Sequence, residues 1–302
     1  MGRYSDRQMF EEKMAKLKEP GISWFEDFDK MTGGLRRKKV LLFGAPSGHG
    51  KTLMACNIVH TMEARGLRTA WITTETDADT IDERIGARGW EAIKDYKVEI
   101  FDNSKVRPSK RFTTNKCSAS AYGDELFDYD VVLVDYLKTT STEAYAGSKE
   151  LRDMLDEWHI WAETNDKIVI LLAQAKKWAD DKKYGMSDEY DYKLSSAVYE
   201  AADYAMVARE IAHDERACTT DLAFDLIKNR RPQPPTPKKG RFILRINYFT
   251  AEIYKQSSIA TDDDNAVKAL VKDWLTPKDT PNETAREHFS RLLNSNGIGD
   301  IK

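Results

Sequence analysis

Short apolar runs recur along the chain and are separated by segments with helical periodicity. The runs lie at residues 40–43, 67–74, 130–136 and 168–174, and each is followed by small or polar residues. Apolar runs of this length are typical of strands buried on both faces, as in parallel sheets. Between them, residues 150–164 place Leu151, Met154, Leu155, Trp158 and Trp161 at helical spacing. The alternation predicts an α/β fold with a mostly parallel central sheet flanked by helices.

Weaker patterns predict the remaining elements. Residues 5–18 indicate an amphipathic helix, which packs either on its own domain or on a neighbouring subunit. A polar, small-residue stretch at 138–149 indicates a loop, and residues 194–206 indicate a helix. The other predicted elements are a helix over 80–95, a strand at 98–101, a C-terminal β-hairpin formed by 224–231 and 242–248 around a proline-rich turn, and two helices at 266–275 and 282–293.

A glycine-bearing turn directly follows the first apolar run. Glycines at this turn let successive backbone N–H groups point at phosphate oxygens, and the helix that follows presents its positive end to the same oxygens. A lysine then supplies a cation for the β- and γ-phosphates, and a hydroxyl supplies a ligand for Mg²⁺. The first glycine of the usual P-loop pattern is replaced by Ala45, with Gly44 one place earlier. The predicted nucleotide-binding residues are Ser47, Gly48, His49, Gly50, Lys51 and Thr52.

Three polar side chains end the later predicted strands. Glu75 follows the second strand, where a carboxylate can orient the attacking water. The alternative is that Glu75 caps the helix that Asp77 and Asp79 begin. Asp135 ends the next strand and is predicted to hold Mg²⁺ opposite Thr52, partly through water. Gln174 ends the fourth strand, where its amide can bond both the γ-phosphate and a downstream loop.

These motifs, in this order, resemble the ATPase domain of DnaB-like (superfamily 4) replicative helicases, which are RecA-type P-loop NTPases. The resemblance covers residues 21–255. It rests on the segment Thr-Gly-Gly-Leu at 32–35, the P-loop, Glu75, Asp135-Tyr136-Leu137, Gln174, Glu200 with Asp203, and Lys228 with Arg230.

The resemblance implies a RecA-like core that uses ATP or another NTP with Mg²⁺ and assembles as a homo-oligomeric, hexameric ring around single-stranded DNA. Glu75 is then the catalytic carboxylate and Gln174 the sensor of nucleotide state. Lys228 and Arg230 reach the γ-phosphate held by the neighbouring subunit. A primase or another replication protein is expected as a separate partner. Residues 1–20 become an N-terminal linker helix, and 256–302 a linker with a small helical extension.

The segment after Gln174 is a candidate nucleic-acid contact because it combines cations with aromatic residues. Five acidic residues between 180 and 191 weaken that prediction. Its predicted contact residues are Lys176, Lys177, Lys182 and Lys183.

Composition narrows the setting. A net charge of −3 indicates no overall basic surface, so nucleic-acid binding is expected only from local loops. Three scattered cysteines and five histidines without paired spacing argue against a zinc or disulfide scaffold. No apolar run has the length of a membrane span. We expect a protein of the reducing cytoplasm of a bacterial or phage-infected cell, without a membrane partner.

Two other functions fit parts of the pattern. A RecA-type ATPase that acts as a recombination or replication regulator, or as a loader, would share the motifs without unwinding DNA. A monomeric P-loop kinase would share only the phosphate loop.

Overall fold

A computed structural model describes residues 21–86, 98–103, 117–137, 144–176, 187, 202–230, 239–257, 259–261 and 264–275. The helices predicted at 5–18 and 282–293, the proline-rich turn, and most of the segment that follows Lys176 lie outside the described residues.

One sheet holds ten strands in the described part of the chain. The strands run in the order β3-β2-β4-β5-β1-β6-β7-β8-β10, and β9 also pairs with β8. The six strands from β3 to β6 are parallel, whereas β7 to β10 add antiparallel pairs. Their bounds are β1 Lys39–Ala45, β2 Thr69–Thr73, β3 Glu99–Asp102, β4 Val131–Asp135, β5 Ile168–Gln174, β6 Tyr204–Asp214, β7 Thr219–Asn229, β8 Gly240–Asn247, β9 Ile253–Gln256 and β10 Ala260–Thr261.

Helices cover both faces of the sheet. Alternate strand residues point to opposite faces, so Leu41 and Phe43 pack on one side and Val40 and Leu42 on the other. The first face packs against helices α1 and α2, and the second against α4. The helices are α1 Glu26–Thr32, α2 Lys51–Glu63, α3 Ala78–Gly86, α4 Ala144–Asn165 and α5 Asp264–Leu275.

The RecA-like α/β fold with a mostly parallel sheet is confirmed, and β5 has the predicted bounds. Two local predictions are wrong. Helix α4 begins at Ala144, inside the stretch predicted as a loop. Residues 204–206, predicted as the end of a helix, begin the long strand β6. β6 pairs with β1 on one side and β7 on the other, and this two-sided pairing overrides the helical tendency of an alanine-rich segment.

The segment predicted as a C-terminal linker joins the sheet. Ala260 and Thr261 pair with β8, and α5 packs Val267, Val271 and Trp274 against the antiparallel strands. The boundaries proposed at residues 20 and 255 stay a prediction.

A polar contact also holds α5 in place. The indole N–H of Trp274 donates to Asp221 Oδ2 at 2.9 Å, and Arg245 donates two bonds to the same carboxylate, each 2.7 Å. This contact ties α5 to β7 and β8.

No helix in the described ranges has both the length and the apolar character needed to cross a bilayer.

Candidate nucleotide site

The phosphate loop joins β1 to α2 and needs glycine at two positions. Gly48 and Gly50 have φ angles of +82° and +83°, which side chains with a Cβ rarely adopt. A Cβ on Gly50 would also lie 2.9 Å from Leu222 Cδ1 on β7, whereas nothing lies within 4 Å of one on Gly48. The turn is therefore packed against the sheet at Gly50 and open at Gly48, where backbone N–H groups can approach a phosphate.

Strand β6 braces the same loop. The backbone N–H of Glu210 donates to His49 Nδ1 at 3.1 Å. Because β6 extends past the end of β1, it supplies a wall for a turn that follows β1.

Lys51 opens α2 and is buried. Its ammonium group donates to the carbonyl oxygens of Ala45 and Pro46, at 3.2 and 3.3 Å. These bonds hold the cation within the turn, where it is placed for a phosphate group.

Thr52 and Asp135 meet across the end of the parallel sheet. Thr52 Oγ1 donates to Asp135 Oδ2 at 3.4 Å, and Asp135 is almost completely buried. Burial and then repulsion by Glu75 raise the pKa of Asp135 to about 6, against the opposing effects of Lys51, Thr52 and Arg84. A buried carboxylate with too little positive charge around it, beside a hydroxyl, fits Mg²⁺ as a ligand.

The end of β2 brings Glu75 close to this carboxylate. The N–H of Thr74 donates to the carbonyl oxygen of Asp135 at 2.8 Å, and its hydroxyl donates to that of Tyr136 at 3.0 Å. Glu75 follows directly and is exposed. Its position beside the metal and phosphate groups suits a residue that orients water, and this role stays a prediction.

Asp77 performs the capping that was the alternative role for Glu75. The N–H and hydroxyl of Thr80 both donate to Asp77 Oδ1, at 2.9 and 3.0 Å, at the start of α3. The start of this helix thus has a cap in which Glu75 takes no part.

Gln174 lies beside the start of the phosphate loop. It pairs in register with Ala45, and the next N–H, that of Ala175, donates to the Ala45 carbonyl oxygen at 3.0 Å. Lys176 follows and is exposed, whereas Lys177, Lys182 and Lys183 lie outside the described residues.

Lys228 and Arg230 lie toward the opposite edge of the sheet, where β7 ends. The N–H of Arg230 donates to the Asp203 carbonyl oxygen at 2.9 Å, and the N–H of Asp203 donates to that of Val40 at 3.0 Å. Val40 is near the start of β1, about 16 Å along the strand from Ala45, where the phosphate loop begins. Arg230 is therefore remote from the phosphate loop of its own chain.

Asp203 has a structural role in this fold. Its carboxylate accepts bonds from the N–H of Val40 and the ammonium of Lys39, each at 3.1 Å, which joins β6 to the start of β1. Its predicted partner Glu200 lies outside the described residues.

One contributor to the site had no sequence motif. Arg84 lies on α3, and its charge reaches Asp135 and lowers the pKa of that carboxyl. The only sequence signal was a cation on the helix that follows Glu75, and the fold was needed to bring it near β4.

The fold resembles two solved structures. The first is the ATPase domain of a DnaB-like helicase; its TM-score is 0.62 at 16% sequence identity, with 84% of this chain and 99% of that chain covered. The second is a DnaB-like replicative helicase described with its interactions with primase; its TM-score is 0.59, also at 16% identity, covering 84% and 68%. No family model and no curated protein matches the sequence.

The likeness defines a class. The chain has the RecA-like P-loop NTPase fold of the ATPase domains of DnaB-like helicases, and an identity of 16% establishes that fold alone.

Proposed function

We propose that the chain is an ATP-driven ring helicase that moves along single-stranded DNA and unwinds duplex during replication. The observation that carries the proposal is the division of the nucleotide machinery between two edges of the sheet. Lys51, Thr52 and Asp135 meet where β1 and β4 end, whereas Arg230 lies where β7 ends. A second copy of the chain is then needed to complete each site.

The residues of the phosphate edge fit ATP with Mg²⁺. Backbone N–H groups from Ser47 to Thr52 would surround the phosphates, and Lys51 would leave the carbonyl oxygens it now contacts. Thr52 and Asp135 would hold Mg²⁺, which supplies positive charge to the phosphate oxygens. Glu75 would accept a hydrogen bond from the attacking water and orient it.

The neighbouring subunit would supply the remaining cations. Lys228 and Arg230 alternate along one strand and so extend to the same side. A cation delivered to the γ-phosphate from another subunit stabilises the charge of the transition state, and it makes hydrolysis depend on assembly. A hexameric ring satisfies this requirement for every site.

The DNA contact is proposed for the segment that starts at Lys176. Gln174 lies between this segment and Ala45 of the phosphate loop, so it can link the state of the nucleotide to the contact with DNA. Because one of the similar structures is described with primase, a separate primase is the partner we would test first.

Replacing Glu75 with Gln should leave nucleotide binding intact and slow hydrolysis by at least about 100-fold, because the amide cannot accept the proton of water. Steady-state hydrolysis and binding of a fluorescent ATP analogue measure the two effects. Asp79→Asn is the matched control, since this exposed acidic residue lies on α3 and is expected to leave both unchanged. Normal turnover in Glu75→Gln would remove this residue from its assigned role.

Replacing Arg230 with Ala should spare nucleotide binding and reduce turnover about 1,000-fold or more, because the cation acts only on the neighbour's nucleotide. Mixing it with the Lys51→Ala variant provides the decisive measurement. Each variant alone is inactive, but a mixed ring contains sites that pair an intact phosphate loop with an intact Arg230. Recovery of hydrolysis on mixing is the expected result, and full activity of Arg230→Ala alone would contradict the shared site.

A forked DNA substrate tests the motor itself. ATP-dependent strand separation is expected from the wild-type chain. Hydrolysis that single-stranded DNA stimulates, but without strand separation, would instead identify a RecA-type regulator or loader. Hydrolysis by a monomer at every protein concentration would exclude both.

A further inference from the structure

A buried charged cluster lies on the antiparallel half of the sheet, outside the nucleotide site. Asp225 on β7 stands opposite Arg241 on β8, which donates from Nε at 2.6 Å and from a terminal nitrogen at 2.8 Å. Arg209 on β6 donates to the same carboxylate at 3.2 Å. All three side chains are buried, so the carboxylate and the guanidinium groups depend on one another for solvation.

A single residue from the segment after Gln174 enters this cluster. The backbone N–H and the hydroxyl of Ser187 both donate to Asp225 Oδ2, at 2.8 and 2.7 Å. Arg209 in turn donates to Ser187 Oγ. Ser187 is itself buried. Charge-assisted bonds of this kind are stronger than neutral ones, so the contact is a firm attachment point.

The attachment lies in line with the nucleotide site. Ala173, the neighbour of Gln174, pairs with Gly44 before the phosphate loop; Gly44 pairs with Val207, and Val207 with Asp225. One row of backbone pairs therefore leads from β5 to Asp225, over three strand spacings or about 14 Å. The same strand β7 continues from Asp225 to the proposed trans cations.

We infer that Ser187 is a positioning residue: it fastens the segment after Gln174 to β7, so that single-stranded DNA bound by the segment acts on the strand that carries Lys228 and Arg230. The DNA part of this inference rests on the proposed function. The attachment itself rests on the contacts of Ser187 and is testable without DNA or nucleotide.

The test compares Ser187→Ala with Ser257→Ala in the 302-residue chain. Ser257 Oγ accepts the N–H of Ile243 on β8 at 2.8 Å, so its replacement also removes a serine hydroxyl bond beside the same strand. The first readout is the rate of tryptic cleavage after Lys177, Lys182 and Lys183, followed by mass spectrometry. The second is the ratio of hydrolysis with and without an oligodeoxythymidylate strand.

Ser187→Ala is expected to raise the rate of cleavage within the segment about tenfold, as the loss of a charge-assisted bond predicts. It should also lower the stimulation by the strand several-fold, and Ser257→Ala should change neither. Unchanged cleavage in Ser187→Ala would overturn the attachment. Faster cleavage with normal stimulation would overturn the link to DNA. If the wild-type chain shows no stimulation, the proposed function fails, and the cleavage rates still decide the role of Ser187.

Discussion

Asp135 and Asp225 are both buried to an exposed fraction of 1%, in the same sheet, yet their surroundings differ in sign. Burial raises the pKa of Asp135 to about 6, and the nearby Glu75 adds to the effect. Burial acts on Asp225 in the same direction, but Arg241, Arg209 and Ser187 outweigh it and hold the pKa of that carboxyl below its ordinary value.

The difference separates a site built for a ligand from one built for stability. Asp225 has enough positive partners to remain charged inside the protein, so it joins three strands. Asp135 has too few, and its charge is unfavourable until a cation arrives. A buried carboxylate left short of partners at the mouth of a parallel sheet therefore indicates a binding site more directly than burial alone.

The largest expected effect comes from Asp225→Asn. The substitution leaves two buried guanidinium groups without their carboxylate, so the free energy of unfolding should fall by about 3–5 kcal/mol. Urea unfolding followed by circular dichroism measures it. Asp128→Asn is the control, because this carboxylate has a side-chain exposure of 83% and should change stability by no more than about 0.5 kcal/mol. A loss as small as that of the control would mean that the cluster contributes no stability.

The opposite sign is expected for Asp135→Asn. Removing an unfavourable buried charge should raise the free energy of unfolding by about 2 kcal/mol at pH 7 in the presence of EDTA. Hydrolysis should be lost in the same variant, because the amide is a poor ligand for Mg²⁺. Unfolding curves and steady-state hydrolysis, measured on one preparation, check both. A destabilised Asp135→Asn variant would remove the contrast between the two carboxylates.

The smallest effect is a difference in pH dependence. Because the folded-state pKa of Asp135 is raised, its contribution to stability is complete below the unfolded pKa and is lost as the pH rises through about 6. Lowering the pH from 7 to 5 in EDTA should therefore stabilise the wild-type chain by about 1 kcal/mol relative to Asp135→Asn.

Asp225 should act in the other direction and at lower pH. Its lowered pKa gives stability that is present above the unfolded pKa and is lost as the pH falls through the folded value, which lies below 3.8. Parallel stability curves for the wild type and Asp135→Asn between pH 7 and 5 would show that Asp135 does not titrate there.

The sequence by itself determined the strands that build the parallel half of the sheet, the phosphate loop, and the carboxylate at the end of β4. These features are local: a run such as 168–174 is apolar along its whole length, and the turn between Gly48 and Thr52 contains its glycines, lysine and threonine in one segment. Local patterns of this kind are readable because one buried strand or one turn imposes them.

Only the tertiary structure decided how the distant groups meet. It turned residues 204–206 into part of β6, joined Asp225 to Arg241 and Ser187, brought Arg84 near Asp135, and placed Arg230 far from its own phosphate loop. The physical reason is that the energy of a buried charge depends on partners contributed by other strands. No periodicity within one segment records which partners those will be.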